Sequence, residues 1–116
     1  MKKLLILLIL FVILVSGCID SRGIVGQTFG PEVQDVIDSC IRACKQRRST
    51  GVDLSKGPCL ANQVDGDWVC DVAHSPRQDV DNKPENQCSA WIEAQQRGET
   101  KHFVEVTPDC IFIRAV

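Results

Sequence analysis

Seven cysteines and two histidines carry most of the chemistry this sequence offers. Cys40 and Cys44 are four residues apart, so on a helix both sulfurs point into one seam. Cys59, Cys70, Cys88 and Cys110 follow at irregular intervals. Thiols of this kind either hold zinc or oxidise to disulfides. A zinc site would draw on Cys40, Cys44, His74 or His102, but no C-x2-C pair is present. An even count of six in a small exported chain points instead to three disulfides. Asp65-Gly66-Asp67 and Asp79-x-Asp81-Asn82 offer hard oxygen ligands for calcium, yet neither follows the ordered EF-hand loop, and turn chemistry explains both. No metal or cofactor is therefore expected. For acid–base work the nominees are His74 with Asp71 and His102 with Glu105. Neither pair has a nucleophile motif, since Ser75 and Ser89 lie outside any G-x-S-x-G. Trp68 and Trp91 could line a sugar or peptide groove, although burial in a small core is the commoner use of tryptophan.

The seventh cysteine stands in a different setting. Met1-Lys2-Lys3 is a short cationic start, and Leu4 to Val15 is an unbroken apolar run. At about 1.5 Å per helical residue that run reaches only ~18 Å, short of the ~30 Å hydrocarbon core, which favours a secretory signal over a permanent span. Val15, Ser16 and Gly17 then lead into Cys18. These residues resemble the lipobox of prokaryotic lipoprotein signal peptides. The resemblance implies lipid attachment to the Cys18 thiol, cleavage before it, and a mature chain anchored at the extracytoplasmic face of the cell membrane. An uncleaved anchor and ordinary secretion are the competing readings.

Without residues 1–17 the chain has 99 residues, and the loss of Lys2 and Lys3 moves its formal charge from −2 to −4. One small domain is the most this length can hold, and its core needs covalent reinforcement. The mildly acidic balance, with no basic stripe interleaved with aromatics, gives no reason to expect nucleic acid as a partner. Residues 18–30 carry glycines and polar residues without sustained periodicity and read as a flexible tether. The alternative is that Ile24, Val25 and Phe29 tuck against the domain.

Residues 31–116 must then position the cysteines. Val33, Val36, Ile37, Cys40, Ile41 and Cys44 form one apolar stripe over Pro31–Arg48, which predicts an amphipathic helix. Its basic end, Arg42 to Arg48, reads as a solvated helix end before it reads as a docking patch. Cys59-Leu60-Ala61 and Trp68–Ala73 read as two strands joined through Asp65-Gly66-Asp67, with Trp68, Cys70 and Val72 on the face beneath the helix. Glu85–Arg97 is open between loop and a short second helix, because Cys88, Trp91, Ile92 and Gln95 share a helical face over only two turns. Lys101–Thr107 and Cys110–Val116 read as a hairpin over Thr107-Pro108-Asp109. The expected fold is α+β: one amphipathic helix, with a short second one, packed by disulfides on a small antiparallel sheet.

Trp68-Val69-Cys70-Asp71-Val72-Ala73-His74, Pro84-Glu85-Asn86-Gln87-Cys88 and His102-Phe103-Val104-Glu105 resemble a group of small, uncharacterised archaeal secreted proteins, which implies an origin and no mechanism. Cys40-x3-Cys44 is also similar to the helical motif of cysteine-stabilised αβ domains. The C-x-C strand that partners it there is missing here, so no toxin or defensin activity carries over. Six cysteines permit fifteen pairings. A Cys40–Cys44 bond would constrain almost nothing, so each should reach a different element. The pairing expected is Cys44 with Cys59, Cys40 with Cys70, and Cys88 with Cys110. The function expected is a non-enzymatic surface module that binds or shields something at the cell envelope. The alternative is a small envelope enzyme or metal-handling protein using His74 and His102 with nearby carboxylates.

Overall fold

A computed structural model describes residues 28–116 of the chain. The expected leader, Cys18 and the tether as far as residue 27 lie outside the described residues. Pro31–Ser49 forms the first helix, α1. Pro31 suits the first helical position, where its missing N–H would have had no partner. Glu32 lies in the first turn and Arg47 and Arg48 in the last, so the charges complement the helix dipole. Val36, Ile37, Cys40 and Cys44 are its buried stripe, as the spacing predicts.

Four strands make one sheet in the order β1 (Cys59–Asp65), β2 (Trp68–Val72), β3 (His102–Val106) and β4 (Phe112–Ala115). β1 and β2 pair antiparallel through a turn at Gly66, and β3 and β4 pair antiparallel as the expected hairpin. The fold is α+β, but the sheet is mixed, because β2 and β3 run parallel. A parallel pair needs a long crossover, and residues 73–101 supply it. That segment holds two 3-10 turns, Asp79–Asn82 and Pro84–Asn86, and the second helix, α2 (Ser89–Arg97). α2 is shorter than the Glu85–Arg97 stretch that could have been helical. Cys88 is held extended before it, and Pro84 opens a separate turn. Gly98, at φ 67°, ends α2 in the left-handed conformation, and the Glu99 N–H closes onto the Ala94 carbonyl.

The strand alternation divides the sheet into two buried faces. Cys70, Val72, Val104 and Val106 pack with the α1 stripe, while Val69, Asp71, Phe103 and Glu105 point to the side covered by α2 and the crossover. Trp68, Cys70 and Val72 therefore share the face expected of them. Phe29, within the expected tether, also packs on the α1 side, edge-on to Phe112 at 5.8 Å between ring centres.

All six cysteines of the described region form disulfides: Cys40–Cys70, Cys44–Cys110 and Cys59–Cys88. Cys40–Cys70 is the expected bond from α1 into the sheet. The other two differ from expectation for one reason. Cys59 stands opposite Asp71 in the β1–β2 ladder and so faces α2, away from Cys44. It takes Cys88 at the start of α2, and Cys44 takes Cys110 in the β3–β4 connection.

Candidate functional site

The central parallel pair sets Asp71 of β2 beside Glu105 of β3 in register. Both carboxyls are buried, at 8% and 5% exposure. Their surroundings differ. Arg77 Nη1 donates to Glu105 Oε1 and Arg114 Nε donates to Glu105 Oε2, each at 2.6 Å. Asp71 has no such partner, and its Oδ1 makes no hydrogen bond. Burial and the neighbouring Glu105 charge push the Asp71 pKa up from 3.8 to about 7.

Arg77 is placed by the crossover. Its Nε donates to Asn82 Oδ1 at 2.7 Å and its Nη2 to the Asp81 carbonyl at 3.2 Å. Asp81 is itself the hub of that loop. Its carboxylate, 1% exposed, accepts the backbone N–H of His74 at 3.0 Å and of Gln78 at 2.8 Å, and lies 2.9 Å from His74 Nδ1. Burial raises its pKa, but the hydrogen bonds from Gln78 and His74 outweigh burial and hold it below the usual carboxylate range. An ionised Asp81 can only accept, so His74 Nδ1 carries the proton between them.

α2 closes the other side. Cys88 ties its start to β1, and Asn62 Oδ1 accepts the Ala90 N–H at 3.0 Å and the Ser89 hydroxyl at 3.2 Å, capping the helix from a neighbouring strand. Trp91 then meets Phe103 edge-on at 4.8 Å, and the Arg114 guanidinium lies 4.9 Å from the centre of the Phe103 ring. The result is a cavity of about 110 Å³, with Val69, Trp91 and Phe103 as apolar walls and Asp71, Glu105 and their arginines as the polar side. Arg77 and Arg114, 36% and 49% exposed, stand where the cavity meets solvent.

The residues nominated from sequence are distributed differently. His74 pairs with Asp81 rather than Asp71. His102 is exposed and stacks on Trp68 at 4.7 Å. Three residues along a strand, it and Glu105 point to opposite faces. The two histidines sit at opposite ends of the β2–β3 pair, too far apart to act together. Among the described residues no group of histidine, cysteine and carboxylate side chains is arranged to hold a metal ion. A wider depression of about 440 Å³ lies between α1 and the β1–β2 turn, beside the Trp68–His102 stack. Its carboxylates, Glu32, Asp35, Asp65 and Asp67, are all solvent-exposed. Sequence reasoning missed the Asp71–Glu105–Arg77–Arg114 cluster. One carboxylate within each of two mainly apolar strands was its only signal. Comparison with protein families, with curated proteins and with solved structures gives no match.

Proposed function

We propose that the chain is an exported, lipid-anchored binding module that works without catalysis at the extracytoplasmic face of a cell membrane. The observation that carries this reading is the mutual pairing of all six described cysteines. Disulfides persist in oxidising compartments outside the cytosol. The pairing accounts for every cysteine of the sequence except Cys18, which follows the apolar leader in its lipobox-like setting. Among the described residues no helix is long and apolar enough to cross a membrane. A lipid on Cys18 would supply the membrane contact.

We place the binding role in the cavity beneath α2, which presents an aromatic wall and a carboxyl with one unpartnered oxygen, both recognition elements. Expression of the full chain beside a Cys18→Ser variant tests the anchor. The parent is expected in the membrane fraction carrying a lipid label, and the variant is expected to lose the label and leave that fraction. Equal labelling and equal membrane retention of the two would refute the lipid anchor.

A further inference from the structure

We propose that the cavity beneath α2 is a binding site for a small primary ammonium group, held by Asp71 Oδ1 beside the Trp91–Phe103 pair. The first support is hydrogen bonding. Asp71 Oδ1 is buried without a donor, and the two nearest cationic side chains are committed to Glu105. A buried acceptor left unpaired carries a desolvation penalty that an incoming N–H donor relieves. The walls are the second. Trp91 and Phe103 line the cavity, and the Arg114 guanidinium lies over the Phe103 ring at 4.9 Å, a contact that shows this aromatic wall meeting a cation. Size is the third. A cavity of about 110 Å³ is somewhat smaller than the ~150 Å³ that encloses benzene. It admits an alkylammonium of a few heavy atoms, or the end of a longer amine, and excludes a whole sugar or nucleotide.

Charge balance makes the exchange specific. The groups facing Asp71 are Glu105 from β3, Arg114 from β4, and Arg77 and Asp81 from the crossover. α2 contributes Trp91 and no charge, and β1 contributes the Cys59 half of a disulfide. Glu105 and Asp81 with the two arginines sum to no net charge. A proton on Asp71 leaves that value unchanged, and so does an ammonium ion bound to ionised Asp71. The ligand therefore replaces the proton one for one, and Asp71 titrates near pH 7 in the empty site.

This inference rests on the binding role proposed above, and its failure is distinguishable from failure of the anchor, because the two are read by different measurements. The full chain, extracted from membranes in detergent, is titrated with ethylammonium chloride while the indole N–H resonances of Trp91 and Trp68 are followed. Trp68 lies on the opposite face of the sheet and is the internal control. Calorimetry in buffers of different ionisation enthalpy counts the protons released. The expected result is a saturable shift of Trp91 with Trp68 unmoved. Nearly one proton should be released per ligand about one unit below the Asp71 pKa, and almost none about one unit above it. Asp71→Asn is expected to weaken binding at least about tenfold, the loss of one charge-assisted hydrogen bond. Should that variant not fold, the proton count on the unsubstituted protein decides. No saturable response up to about 100 mM, where even affinities far weaker than millimolar would show, would overturn the proposal. So would an equal response to ethanol or to tetramethylammonium, or binding without proton release below the Asp71 pKa.

Discussion

Asp71 and Glu105 lie side by side on adjacent parallel strands, both buried, and of the two only Glu105 forms ion pairs. Two neighbouring carboxylates cannot both stay ionised cheaply at low dielectric. Both arginines pair with Glu105, and the carboxyl left without an ion pair, Asp71, is the one whose pKa is raised.

Stability should therefore depend on pH through Asp71 in an unusual direction. Its pKa is raised from 3.8 to about 7 in the folded chain, so between those values the folded state holds the extra proton. The contribution is fully present below the lower value and is lost as pH rises through the upper one. At 1.36 kcal/mol per unit, a shift of about three units sets an upper bound of roughly 4 kcal/mol. Urea denaturation across this window is expected to show Asp71→Asn declining less with pH than the parent. Parallel curves would count against the assignment.

Asp81 runs the opposite way. Its pKa is lowered on folding, so its contribution is present above the unfolded value and disappears as pH falls through the folded one. Asp81→Asn removes a charged acceptor from three donors of the crossover and should cost about 2–3 kcal/mol at neutral pH. The same substitution should blunt acid unfolding of the parent.

Glu105→Gln should cost about 1–3 kcal/mol by leaving Arg77 and Arg114 without their shared carboxylate. Both guanidiniums are more than a third exposed and can turn to water, which keeps the loss in that range. With the like charge gone, the Asp71 carboxyl should titrate lower than in the parent. Its carbon resonance followed by NMR reports the change directly.

Gly57 sits at φ 67°, where an added Cβ would collide with Asp81 Oδ1 and meet the Val72 carbonyl oxygen at 3.0 Å. Gly57→Ala is expected to cost about 3 kcal/mol, combining backbone strain with overpacking. Gly51→Ala, also at positive φ but with nothing within 4 Å of the new methyl, should cost only about 1 kcal/mol. Thermal melts of the two variants side by side separate the crowding from the backbone effect.

The parts of this fold legible from sequence are those with local causes. The α1 stripe, the turn at Asp65-Gly66-Asp67 and the final hairpin each follow from residues within a few positions of one another. The parallel β2–β3 pair was not legible, because strand direction is set by the crossover and leaves no mark on either strand. The disulfide partners of Cys44, Cys59, Cys88 and Cys110 were misassigned for a related reason. A register shift around Leu60 in β1 decides which face Cys59 occupies, and periodicity cannot reveal it. The Asp71–Glu105 cluster escaped for both reasons together. Its members come from two strands, a hairpin return and a loop, and only the parallel register brings them into contact.

Intact mass of the protein extracted from membranes tests the central claim most directly. A chain that begins at Cys18, heavier by an attached lipid and lighter by the six hydrogens of three disulfides, is the predicted species. Non-reducing peptide maps of the same sample should join Cys40 to Cys70, Cys44 to Cys110 and Cys59 to Cys88. A full-length chain without lipid and with its thiols free would contradict both the export and the covalent frame on which the cavity depends.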